Sequence, residues 1–445
     1  MRRYARKKPI MFLIPALLVL VYCVGLGVWI KSTVYHKTDS TSSISSDDEP
    51  QGTASGADSV SSAVISNLND DRSSKPAESS TAESEAVSKP SPSAIEVDVE
   101  PEDPKTIDEI LDDMTIYEKV MQMFIVTPEQ ITGVTKATVA GDMTKQALEK
   151  YPVGGIIYFA QNLEDPQQVK DMIKNTKKYC KILPFISVDE EGGSVARLGS
   201  NPDMGTTAFP AMGSIQSETD AYNAGVTIGK DLKKFGFNLD FAPVADVNSN
   251  PNNPVIGTRS FSADPDMAAR LVSSCVHGFN DSGVLCTLKH FPGHGDTDSD
   301  SHYGIAMTEK GLNELEQCEL LPFKSGIDSG ADFVMIGHIS APNITGSDTP
   351  ATMSYEVVTQ LLRDRLGFDG VVITDSMLMG AISQNYSSGI AAVESVKAGV
   401  DIILMPENLD EAINALVDAI DNGEISEERI DESVRRILKA KQKIS

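Results

Sequence analysis

Eight short apolar runs punctuate the C-terminal three-quarters of the chain: Gln122–Val126, Gly154–Tyr158, Pro184–Val188, Leu239–Ala242, Val284–Leu288, Asp332–Ile336, Gly370–Ile373 and Asp401–Met405. Amphipathic stretches separate them, among them Asp165–Tyr179, Ser217–Phe235, Pro265–Ser282, Thr308–Gly326, Ser354–Leu366 and Ile390–Ala398. Short continuous apolar runs read as strands buried on both faces, and apolar positions three and four apart read as helices. Parallel strands need helical crossovers, so the alternation predicts an α/β fold, a single (β/α)8 barrel of the TIM type. A doubly wound open sheet is the alternative. The stretches Leu409–Asp421 and Ser426–Lys443, joined by Asn422-Gly423, are the expected closing helices.

Before about residue 104 the pattern is different. Residues 1–9 carry a basic cluster, and Ile10–Ile30 follows with twenty-one residues free of charge. That is enough to cross a hydrocarbon core of about 30 Å. The basic flank predicts a cytoplasmic N-terminus and places everything after Lys31 outside the cell. No small-residue cleavage site follows, so the span reads as an uncleaved signal anchor to a lipid bilayer rather than a signal peptide. Residues 31–104, rich in Ser, Asp, Glu, Ala and Pro, hold too few large apolar residues to offset the entropy of ordering. They read as a disordered acidic spacer, leaving residues 105–445 for the barrel.

Charge narrows the partners. A formal net charge of −26 leaves no basic surface with which to neutralise phosphates, which excludes nucleic acid as a partner. Five scattered cysteines form no CxxC pair, so neither a disulfide framework nor a zinc site is expected.

Chemistry concentrates in Lys289–Tyr303, KHFPGHGDTDSDSHY, which packs three of the six histidines and three aspartates behind an apolar run. A loop so dense in titratable groups at a strand's C-terminal end is the expected place for a barrel's active site. Metal binding and a plain solvated loop are the competing readings. A calcium loop fails on spacing, because the sixth position from Asp296 is Ser301 and the twelfth is Met307. The other strand ends converge on the same mouth: Asp189-Glu190-Glu191 and Arg197, Asp246-Val247-Asn248, Arg259, Gly337-His338 and Asp375. Asp375, directly after Gly370–Thr374, suits covalent attack on an anomeric carbon, or else caps the following helix. Asp300-Ser301-His302 offers a partner acid/base, an imidazole oriented by a carboxylate.

KHFPGHGDTDSDSH, VDEEGGSVARL, IGTRSF and VVITDSMLMGAI together resemble family 3 glycoside hydrolases, in particular the β-N-acetylglucosaminidase (NagZ-like) branch. The resemblance covers roughly Ile107 to Lys443. It implies a retaining exo-β-N-acetylglucosaminidase with Asp375 as nucleophile, His302 as proton donor and Asp300 as its dyad partner. It implies that Asp189, Arg197, Arg259, Lys289 and His290 hold a terminal N-acetylglucosamine, from peptidoglycan fragments (muropeptides) or other glycans. No metal and no organic cofactor are expected. His294 and Asp296 read as loop scaffolding, His338 as a pocket residue, and Gly293 and Gly295 as a source of loop mobility. The one tryptophan, Trp29, lies in the apolar N-terminal run, so a sugar platform would have to be Tyr or Phe. Four rivals follow. They are a β-glycosidase or glycoside phosphorylase of other sugar preference, a substrate-assisted mechanism on Asp189-Glu190, a metal hydrolase built on the loop, and a non-catalytic cell-wall glycan-binding barrel.

Overall fold

The computed structural model describes residues 105–444. The basic tail, the proposed membrane span at 10–30 and the acidic spacer to residue 104 lie outside the described residues. Among the described residues no helix is long and apolar enough to cross a membrane.

Eight parallel strands form one sheet: β1 (Phe124–Val126), β2 (Gly155–Ile157), β3 (Phe185–Val188), β4 (Leu239–Asp240), β5 (Leu285–Phe291), β6 (Phe333–Ile336), β7 (Val371–Thr374) and β8 (Ile403–Leu404). Each pairs with its sequence neighbour, β8 pairs with β1, and a parallel bridge from Ile373 to Ile402 joins β7 to β8. The sheet therefore closes on itself, which an open doubly wound sheet does not do. All eight apolar runs are strands, and nearly every strand residue is buried, as a helix-covered parallel sheet requires. Phe185 of β3 and Phe333 of β6 meet edge to face, ring centroids 5.2 Å apart. Side chains fill the barrel, so it is a packed core rather than a pore.

The helices start where their caps dictate. Asp165 accepts from the backbone N–H groups of Gln167 and Gln168 ahead of helix Pro166–Tyr179, and Asp264 accepts from Met267 ahead of Pro265–Ser282. The expected helix Thr308–Gly326 is broken into Leu312–Gln317 and Leu320–Asp328. Between them Glu319 turns its fully buried carboxylate inward, to Lys310 and to the Ser249 hydroxyl 3.0 Å away. Periodicity carries no trace of that break, because the Ser249 contact that helps hold it comes from 70 residues away along the chain.

Candidate active site

Parallel strands bring their C-terminal ends to one mouth. There a cavity of about 420 Å³ is lined by Asp189, Glu191, Arg197, Arg259, Lys289, His290, His294, Ser301, His302 and Asp375 among others. Every substrate-binding candidate of the sequence reading reaches it, as do two of the three catalytic candidates. Asp300 stands one step back, bonded to His302.

One wall is charged. Strand β3 runs into a short antiparallel ribbon, Glu190–Gly192 with Val195–Ala196. Alternation along that extended chain puts Asp189 and Glu191 on one side and Glu190 on the other. Lys289 Nζ lies 2.8 Å from Asp189 Oδ1 and 2.6 Å from Glu191 Oε1. Arg259 grips Glu191 bidentately, with both contacts at 2.8 Å. Burial pushes the Glu191 carboxyl up, but Lys289 and Arg259 outweigh it and bring the group down to about 2. Burial likewise pushes Lys289 down, and Asp189 and Glu191 outweigh it, so the ammonium is held charged. Arg197 Nη2 approaches Asp189 Oδ2 at 3.6 Å, and its buried Nε has no protein partner. The guanidinium thus lines the cavity with one buried N–H unsatisfied.

Glu190 does something else. Its carboxylate accepts from the backbone N–H groups of Arg197, Leu198 and Gly199 at 2.7–2.8 Å, and it is buried away from the cavity. The rival mechanism on Asp189-Glu190 thus lacks its second carboxylate at the site. Glu191 and Asp246 stand among the strand-end residues named from the sequence, but the sequence assigns neither a role. The first was visible as the alternate residue of VDEEGG. The second was visible as the first acid in the loop after the expected fourth strand, Leu239–Ala242.

Asp246 orders the β5 end. It is 1% exposed, accepts from His290 Nδ1 at 2.7 Å and from the His294 backbone N–H at 2.7 Å. His290 Nε2 faces Arg259 Nη2 at 3.4 Å, and a guanidinium only donates, so the geometry selects the tautomer with the proton on Nδ1. The β5–β6 register shifts between Leu288 and Phe291, and the strand runs three residues past its expected end, carrying Lys289 and His290. A bulge of this kind re-aims side chains at a strand's end.

The long loop is pinned rather than loose. A Cβ on Gly295 would sit 1.8 Å from the Val247 carbonyl oxygen, and one on Gly293, at φ 132°, would sit 2.6 Å from Glu319 Cγ. Close packing, not mobility, is what these two glycines permit. Asp296 accepts from the Thr308 hydroxyl, as scaffolding should. His294 is buried, with its ring nitrogens on Thr297 Oγ1 at 2.7 Å and Ser301 Oγ at 3.0 Å, and it also faces the cavity. The three loop histidines engage three different sets of partners, and among the described residues no cluster is placed to hold a metal ion.

His302 and Asp300 form the expected pair. Asp300 Oδ1 accepts from His302 Nδ1 at 2.7 Å and from the His302 backbone N–H at 2.9 Å. Burial raises the Asp300 carboxyl, and the His302 backbone N–H and ring more than offset it, leaving it below its ordinary value. The His302 and Ser301 carbonyls accept from the backbone N–H groups of Gly380 and Ala381, tying the loop to the segment after Asp375.

Asp375 ends β7, half-buried at the cavity. Burial pushes its carboxyl up, but His290, His338, the Ser376 N–H and Lys289 outweigh it and keep the group below its ordinary value. His338 stands behind this carboxylate rather than in the cavity lining. Its Nε2 donates to the Ser376 carbonyl, 3.0 Å away, and its Nδ1 faces the Thr352 hydroxyl at 3.1 Å.

The chain is similar to known proteins over most of the barrel. Residues 115–440 match the glycosyl hydrolase family 3 N-terminal domain. Beta-hexosaminidase A of Pseudoalteromonas piscicida is 37% identical over 327 residues, 67% of this chain and 55% of that protein. Beta-hexosaminidase LpqI of Mycobacterium tuberculosis is 37% identical over 270 residues, covering 58% of this chain and 68% of the relative. A family 3 β-N-acetylglucosaminidase from Paenibacillus sp. str. FPU-7 superposes with a TM-score of 0.70 and 40% identity, over 74% of this chain and 63% of that one. The chain thus spans little more than half the length of the Pseudoalteromonas relative. With the family match running over most of the barrel, this chain belongs to glycosyl hydrolase family 3.

Proposed function

We propose that the chain is an exo-acting, retaining β-N-acetylglucosaminidase. The observation that carries this reading is one cavity lined both by a carboxylate held ionised, Asp375, and by an imidazole oriented by its own carboxylate, His302 with Asp300. Asp375 attacks the anomeric carbon while His302 protonates the leaving oxygen. His302 then deprotonates the water that releases the sugar from Asp375. Asp189, Lys289, Arg259 and the Arg197 guanidinium supply acceptors and donors for the hydroxyls of one terminal sugar. The names of the Pseudoalteromonas, Mycobacterium and Paenibacillus relatives support N-acetylhexosamine as that sugar.

The apolar run Ile10–Ile30 anchors the enzyme in the cell membrane in this reading, with the N-terminus cytoplasmic and the catalytic part outside. Its substrates there are peptidoglycan fragments or other glycans ending in N-acetylglucosamine. The deciding experiment measures turnover of a chromogenic β-N-acetylglucosaminide and the matching β-glucoside by the full chain in detergent. Preference for the first, lost in Asp375→Asn, is the expected result. An Asp375→Asn variant as active as wild type would overturn the mechanism, and turnover of neither sugar by folded protein would favour the glycan-binding barrel.

A further inference from the structure

Among the described residues one non-glycine residue, Met405, has a positive φ, 50°. A side chain with a Cβ avoids this region, and such strain persists only where the surroundings over-determine the backbone. Here they do. The Met405 N–H donates to the Ile125 carbonyl at 2.9 Å. The preceding residue, Leu404, donates its N–H to the Thr374 hydroxyl at 3.0 Å and accepts from the Met377 N–H at 2.9 Å. Thr374 and Met377 bracket Asp375, so the strained segment is locked against the flank of that carboxylate.

The strain aims a side chain at the cavity. Met405 lines it together with Leu404, Leu378 and Met379; Leu404 ends β8, Met405 follows it, and the other two lie in the segment just past β7. In the closed ring of eight, β7 and β8 face β3 and β4, the side that carries Asp189 and Glu191. The cavity thus has a charged wall and, beside Asp375, an apolar thioether wall. A carboxylate that reaches an anomeric carbon has the sugar's C2 substituent next to it. In an N-acetylated sugar that substituent ends in a methyl group, which is better accommodated against Met405 than against Lys289 or Arg259.

We propose that Met405, with Met379 beside it, seats the acetamido methyl and separates N-acetylated from hydroxyl sugars at this site. The proposal rests on the hexosaminidase reading given above. Met is suited to the task, because its flexible, polarisable thioether moulds to a small apolar group.

The test uses the full chain in detergent, with wild type, M405A, M405G and M405L. Turnover of matched aryl N-acetylglucosaminides and glucosides is one readout. Calorimetric binding of free N-acetylglucosamine and glucose is the other. The Ala and Gly variants are expected to lose roughly tenfold or more in kcat/KM and affinity on the N-acetylated sugar and less than about threefold on glucose, with M405L retaining the preference. M405G should also melt above M405A, the reverse of the usual order, because only Gly is unstrained there. Equal losses on both sugars, unchanged selectivity, or an Ala variant at least as stable as the Gly variant would overturn the proposal. Wild type that binds N-acetylglucosamine without cleaving it would instead sink the hydrolytic reading, while the binding ratios still test Met405.

Discussion

The barrel buries charge at both ends, and the two clusters differ in what they leave over. At the N-terminal end, Asp401 is fully buried before β8. Its carboxylate takes Arg363, the Val372 N–H at 2.9 Å and the Ser433 hydroxyl at 2.7 Å, with Arg436 at 3.4 Å. Arg363 Nη1 donates to the Phe368 and Gly370 carbonyls. That cluster staples the last helix to the barrel and is self-contained. At the C-terminal end, Asp189, Glu191, Lys289 and Arg259 pair as tightly but open on a cavity also lined by Arg197, whose buried Nε lacks a protein partner. Buried charge alone therefore does not mark a site; unsaturated charge beside space does.

The largest expected effects set the two ends against each other. Asp375→Asn removes the nucleophile, and kcat should fall on the order of 10⁴-fold, about 5.5 kcal/mol, with the melting temperature little changed. Asp401→Ala should do the reverse. It should destabilise by about 3–5 kcal/mol, because it strands buried guanidinium groups, while kcat per folded molecule holds. Denaturation midpoints and active-site-normalised rates measured together separate the two. A Asp401 variant of normal stability and lost activity would erase the contrast.

His302→Ala is next. Loss of a general acid should cost roughly 10²–10⁴-fold with a poor leaving group and much less with a nitrophenolate, which departs unprotonated. Equal losses with both would show that His302 serves the loop and not the proton. Because its side chain is 60% exposed, no measurable fall in stability is expected.

How much of this was legible depended on the range of the interactions. The eight strands could be read because burial on both faces leaves runs such as VVIT, a local signal. Asp375, His302 and the charged wall could be read because a barrel gathers its strand ends whatever lies between them. The β5 bulge, the break at Glu319 and the packing of Gly293 and Gly295 could not. Each depends on a contact far along the chain, Val247 against Gly295 being the clearest. Glu191 and Asp246 fell between, since their positions were visible but their partners were not.

Glu191 offers a test by pH. Its folded-state carboxyl lies at about 2, against an ordinary 4.5. A depressed carboxyl contributes stability that is present above about 4.5 and is lost as pH falls toward 2, on the order of 3 kcal/mol. Urea midpoints of wild type should drop across that window. Glu191→Gln should be less stable at pH 7 but should lose less between pH 4.5 and 2. Parallel curves for the two proteins would mean that acid sensitivity arises elsewhere, with Asp246 the next residue to test.

The smallest expected effect lies between the two clusters. Asp240 is fully buried on β4, one oxygen accepting from the Glu190 N–H at 2.9 Å and the other without a protein partner. Burial, then the neighbouring Glu190 and Asp189, hold its carboxyl well above the ordinary value, against the pull of the Glu190 N–H and Lys289. The sign is opposite to that of Glu191. Below the unfolded value near 3.8 both states carry the proton and the group is silent. As pH rises, the unfolded chain ionises first and stability is lost. Asp240→Asn keeps an acceptor for Glu190 and deletes that titration. It should match wild type near pH 3.5 and exceed it in stability near pH 7, with activity within about twofold. A variant that is instead less stable at pH 7 and poorly active would place Asp240, ionised, inside the charged network of the cavity. The line between saturated and unsaturated charge would then have to be drawn one layer deeper in the barrel.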